Sequence, residues 1–142
     1  MKKINIGRVF LSGFVASLAF FFAEAVLEGS VQLAFGLSET ELFRKAFGTF
    51  PSGTLYHVVT VAYLYLVCVL MMWVYAAIRP RFRSRLHAAL ATGAVFWLFV
   101  VLFVFNYSNI GLYPVRLSLL AMGFNLFEIP AAVIAGSLAY PD

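Results

Sequence analysis

Charge is what this chain has least of. Ten Lys and Arg and six Asp and Glu make up 11% of its 142 residues, where a soluble domain carries about a quarter. So few charges cannot coat a water-soluble globule of this size, which leaves lipid as the main solvent. Cysteine is nearly absent. Cys68 stands alone in an apolar run, which excludes an intrachain disulfide and a CxxC redox or zinc site, and it reads as a small core residue. The two histidines, His57 and His87, fall toward opposite sides of the membrane by the reading below, which argues against a bis-histidine haem. One histidine beside two glutamates is a thin ligand set for iron or zinc. No P-loop, Gly-x-Gly-x-x-Gly or Ser-His-Asp order is found, so neither a cofactor nor a metal is expected, and a soluble-enzyme mechanism has no support.

What the chain has in abundance is apolar length: 63% of it is hydrophobic and 18% aromatic. A helix needs about 20 apolar residues to cross a hydrocarbon core of about 30 Å. Four stretches qualify, 9–35, 54–78, 86–107 and 112–140. The expected fold is an all-α integral membrane protein, a single four-helix bundle with no room for a separate soluble domain. Lys2, Lys3, the apolar stretch and Ala23-Glu24-Ala25 imitate a signal peptide, but hydrophobicity continues to Phe35, so an uncleaved first span is expected.

The basic residues set a direction. Lys2, Lys3 and Arg8 precede the first span, and Arg79, Arg81, Arg83 and Arg85 fill the turn between the second and third, all on one side. Arg44, Lys45 and Arg116 fall on the other, two of them sharing a loop with Glu39 and Glu41. The positive-inside rule then puts both termini and the arginine turn in the cytoplasm, in a bacterial-type inner membrane. The same arginines are candidates for anionic lipid head groups. No basic stripe interleaved with exposed aromatics is present, so nucleic acid is not an expected partner.

Between the first two spans Ser38-Glu39-Thr40-Glu41 has the capping-box pattern. A short helix should start there, gather Leu42, Phe43, Ala46 and Phe47 on one face, and stop at Gly48 and Pro51. It reads as an interfacial helix lying flat, with a lid over the bundle mouth or a docking surface as its alternative role. Small residues recur at four-residue spacing, among them Gly13 and Ser17, Ala25 and Gly29, Ala89 and Gly93, and Ala132 and Gly136. Such faces let helices approach closely in lipid, either within the bundle or across a homodimer.

Carboxylates inside the spans carry the functional signal, because a charge at a helix centre costs about 2.5–3.5 kcal/mol on insertion scales. Glu24, Glu28 and Gln32 are each four residues apart on the first helix and share a face. On the fourth, Asn125 and Glu128 are three apart, and Pro130 should disturb the helix beside them. Depth counting predicts a cluster of Glu28, His57 and Arg116 on the outer side, with Glu24 beneath and an ion pair between Glu28 and Arg116. It places Glu128 deeper, level with Ser17, where it is expected to keep its proton and donate to a carbonyl or to Asn125.

Two functions from different classes follow. The first is a non-catalytic subunit or assembly partner of a larger membrane complex. The second is a proton-coupled carrier or channel for a small solute, working through the intramembrane glutamates. A membrane enzyme acting on a lipid or quinone at the outer cluster is the third.

Overall fold

The computed structural model describes residues 4–49 and 52–140; Lys2, Lys3 and Pro51, invoked above, lie outside the described residues. The chain is an all-helical membrane bundle. Its elements are α1 (Ile6–Phe35), α2 (Glu39–Phe47), α3 (Thr54–Ile78), α4 (Arg85–Asn109) and α5 (Val115–Ala139), with a 3-10 turn at Arg79–Arg81. Among the described residues, helices α1, α3, α4 and α5 are the four long enough and apolar enough to cross a membrane.

Local chemistry sets the boundaries. Asn5 caps α1 by accepting from the Arg8 amide, and Gly36 ends it with a left-handed φ of 63° that a side chain would strain. Ser38 caps α2 by accepting from the Glu41 amide at 3.4 Å, and Gly48 stops it at φ 79°. The capping box is only half formed, since the Glu41 carboxylate does not return to Ser38 but pairs with Lys45 at 2.8 Å.

The bundle is packed in the order α3, α1, α5, α4, with α1 and α5 making the longest seam and the sequential neighbours α3 and α4 touching sparsely. Packing is dense at the end that carries the arginine turn and loose at the end that carries α2. Buried residues of α1 run only from Val9 to Ser17, those of α3 from Cys68 to Ala76 and those of α4 from Ala88 to Gly93. Small side chains explain the dense end. A Cβ on Gly13 would lie 2.6 Å from the Val69 side chain, and one on Gly136 would lie 2.9 Å from the Ser12 carbonyl. A Cβ on Gly93 would lie 3.1 Å from the Pro130 Cα, so the glycine lets α4 approach α5 there. Three of the predicted small-residue faces are thus used inside the bundle, whereas Gly29 meets nothing within 4 Å. Toward the other end Phe22 on α1 and Phe99, Phe103 and Phe105 on α4 are exposed, and the spans pack less closely.

Five polar side chains within the spans turn back to their own helix. Ser17, Thr92, Ser118, Asn125 and Ser137 each donate to a carbonyl three or four residues earlier. Bonds between spans are fewer: the Trp97 indole donates to the Met122 carbonyl at 3.0 Å and the Tyr65 hydroxyl to Phe10 at 3.3 Å.

Candidate functional site

Where the spans pack less closely, α2 folds across the gap and a cavity of about 480 Å³ remains. Its wall is made by Phe21, Glu24 and Glu28 of α1, Glu39 and Phe43 of α2, and the tyrosines Tyr56 and Tyr113. The short helix is placed there by two contacts. At its start the Glu28 carboxylate accepts the Ser38 hydroxyl at 2.7 Å and the Glu39 amide at 3.0 Å. Negative charge at a helix N-terminus is favourable, and here it comes from another helix. At its end Phe47 packs on Phe43 and on Tyr113, with centroids 4.6 and 6.0 Å apart.

Three carboxylates thus meet one cavity, and no Lys, Arg or His lines it among the described residues. Glu39 lies outside the spans, and its carboxyl is pushed up to about 7, first by burial and then by the charges of Glu24 and Glu28. The phenol of Tyr113 is held above its ordinary value by burial and by Glu39. Glu41, on the open side of α2, is held low by its Lys45 partner. Beneath the cavity Glu128 is 3% exposed and lies within reach of the charges of Glu24 and Glu39. Its Oε1 has no hydrogen-bond partner.

The expected cluster of Glu28, His57 and Arg116 is not formed. Glu28 is occupied by Ser38 and Glu39, His57 is exposed with its ring edge-on to Tyr56, and Arg116 is exposed, with no ion pair to Glu28 among the described residues. A backbone amide and a hydroxyl ten residues away reach Glu28 at less cost than an arginine from another span. Gln32 is exposed near the end of α1. Asn125 and Glu128 share no hydrogen bond among the described residues; the Asn125 amide group donates to the Ala121 carbonyl at 2.9 Å.

Glu128 is also shallower than Ser17. Gly136 lies against Ser12 and Ala16, and eight residues of helix carry α5 about 12 Å from there, to the level of Phe22 and Glu24. Glu128 therefore lies level with Glu24, and Glu28 remains further out. In the sequence Glu39 is part of a cap and a loop acid beside Arg44 and Lys45; its place in the site depends on how α2 folds back, which no local pattern encodes.

At the opposite end Arg81 and Arg83 are exposed, Arg79 and Arg85 are partly covered, and Arg79 donates to the Phe82 carbonyl at 2.8 Å. Among the described residues no three of His, Cys, Asp and Glu are arranged to hold a metal ion. No family model, curated protein or solved structure matches the chain, so the reading of the cavity rests on its own geometry.

Proposed function

We propose that the protein is a proton-coupled carrier of a small solute, set in a bacterial-type cytoplasmic membrane with its arginine end toward the cytoplasm. The orientation is supported by Arg8 and the four arginines of the turn at one end, against Arg44, Lys45 and Arg116 beside two glutamates at the other. One observation carries the function: a cavity large enough for a small molecule, lined by Glu24, Glu28 and Glu39 without a base, above the unpartnered oxygen of Glu128. Uncompensated carboxylates around a half-open cavity take up protons or a positively charged guest, and sites that exchange the two are the working parts of proton-linked transport. A purely structural tie between helices would pair its buried oxygens.

The test is reconstitution into liposomes loaded with a pH-sensitive dye, with a pH gradient imposed and small solutes added in turn. Carrier activity gives solute-dependent proton movement that Glu24→Gln and Glu128→Gln abolish while the protein still inserts. Absence of any solute-dependent proton movement across cationic, neutral and anionic solutes counts against it.

A second reading, a non-catalytic subunit or assembly partner of a membrane complex, is favoured by one observation. From Leu55 to Tyr63 every residue of α3 is exposed except the half-buried Tyr56, which leaves most of this length of span uncovered. Co-purification of one membrane partner at fixed stoichiometry, lost when Val58 and Val59 are changed to Trp, would favour it.

A further inference from the structure

We infer that the solute is a small organic cation, an ammonium group carrying an apolar body, bound between Glu24 and Glu39 against the rings of Phe43, Tyr56 and Tyr113. This rests on the carrier reading of the same cavity and names its cargo. Four observations converge on it.

The carboxylates facing the cavity are not equally committed. Glu28 is occupied in holding α2, whereas the side-chain carboxylates of Glu24 and Glu39 make no hydrogen bond or ion pair among the described residues. Charge that the protein itself does not neutralise selects against an anionic guest and for a cationic one. The Oε1 of Glu128, buried and without a partner, adds to that field from below.

The remaining wall is aromatic. Phe21, Phe43, Tyr56 and Tyr113 present rings to the same space. Ring faces attract a cation within about 6 Å of the centroid, and most strongly where water is excluded. They also cover the apolar body of an organic ion, which an inorganic cation lacks.

The carboxylates are spread around the space and do not converge. No trio among the described residues meets at a point as a metal ion would require. A cavity of about 480 Å³ is also far larger than a bare ion, and falls within the roughly 300–1,000 Å³ of small-molecule sites.

A cation and a proton then compete for the same oxygens. Among the described residues the titratable groups lining the site are Glu24 and Glu28 from α1, Glu39 from α2, Tyr56 from α3 and Tyr113 from the α4–α5 connection, and Glu128 from α5 acts on them by its charge from outside the lining. Binding the cation with the carboxylates ionised releases any proton they held, so acid weakens binding.

The experiment is equilibrium dialysis of the full chain in non-ionic detergent. The probes are choline and phenyltrimethylammonium, and the control is 3,3-dimethylbutan-1-ol, which has the shape of choline without its charge. At pH 8.5 at least one of the two cations binds about tenfold or more tighter than the alcohol. Binding falls at pH 5.5 and is lost in Glu24→Gln. A separate arm needs no charge change: Tyr113→Phe retains binding, whereas Tyr113→Leu weakens it about threefold or more.

Alcohol that binds as tightly as both cations, failure of both cations to bind at pH 8.5, or stronger binding in acid overturns the inference. Cation binding without proton-coupled flux would remove the carrier and keep the cation. Proton-coupled flux of an uncharged solute, with no cation bound, would overturn the cation and keep the carrier.

Discussion

The Ser38 hydroxyl donates to the Glu28 carboxylate at 2.7 Å, ten residues back along the chain, and through that bond α1 holds the start of α2 over the cavity. The Glu39 amide adds a second donor to the same carboxylate. One side chain therefore caps a helix to which it does not belong.

Removing that cap should loosen α2 without unfolding the spans. Glu28→Ala deletes a charge-assisted acceptor of two donors, a loss of about 1–2 kcal/mol for a half-exposed site. Hydrogen exchange at the amides of Glu39 and Glu41 should accelerate roughly 5- to 30-fold, while the amides of α5 around Val133 stay protected. Equal acceleration in both places would mean that Glu28 supports the whole bundle.

The glycines of the dense end separate cleanly from the others. A Cβ on Gly136 would meet the Met72 sulfur at 2.6 Å, the Ser12 carbonyl at 2.9 Å and the Ala16 side chain at 3.1 Å, whereas Gly29 has open space. Gly136→Val should therefore cost about 2–3 kcal/mol through overpacking. Gly29→Ala should be neutral or stabilising by up to about 1 kcal/mol. Thermal denaturation of the two variants in the same detergent measures the contrast, and similar melting points would refute it.

Much of this architecture was legible because it is written in local terms. Apolar length gave 54–78 for the second span, which is α3 as built, and the ends of the others lie within a few residues. Ser38 and Gly48 marked the ends of α2, since a cap and a left-handed glycine act within one turn. The depth assigned to Glu128, level with Ser17, failed for the opposite reason. Counting along a helix gives height to within a turn or so, but not which neighbour stands beside it or how the neighbours are offset. That offset is set where Gly136 meets Ser12 and Gly93 meets Pro130, by contacts between residues far apart in sequence. The folding of α2 onto the cavity was equally hidden, because Glu28 reads as a span residue until Ser38 comes back to it.

Acid should strengthen the docking of α2. The Glu39 carboxyl titrates at about 7 in the folded chain, against 4.5 ordinarily. Between those values the folded state holds more protons than the unfolded one, so stability is greatest below about 4.5, falls as pH rises to about 7, and is level above. Allowing for partial exposure, the change is on the order of 2 kcal/mol. Melting followed from pH 4.5 to 8 should show this decline in the native chain and lose most of it in Glu39→Gln. A melting point that rises over that range would reverse the sign and remove Glu39 from the explanation.

Glu128 offers the sharpest division between stability and function. Its Oε1 is buried without a partner, and an unsatisfied polar atom in the interior costs about 1–3 kcal/mol. The unfolded reference in a membrane also keeps this carboxyl from bulk water, which brings the recoverable part toward about 1 kcal/mol. Glu128→Leu removes the oxygen at similar volume and should raise the melting point while abolishing proton-coupled uptake in liposomes. Glu128→Asp, which keeps the acid on a shorter stem, should retain part of the uptake at lower stability. A tie that served structure alone would give the opposite pattern, with the leucine variant less stable and nothing gained from aspartate. Melting and uptake measured on the same two preparations therefore decide whether the cavity keeps its acid for chemistry or for packing.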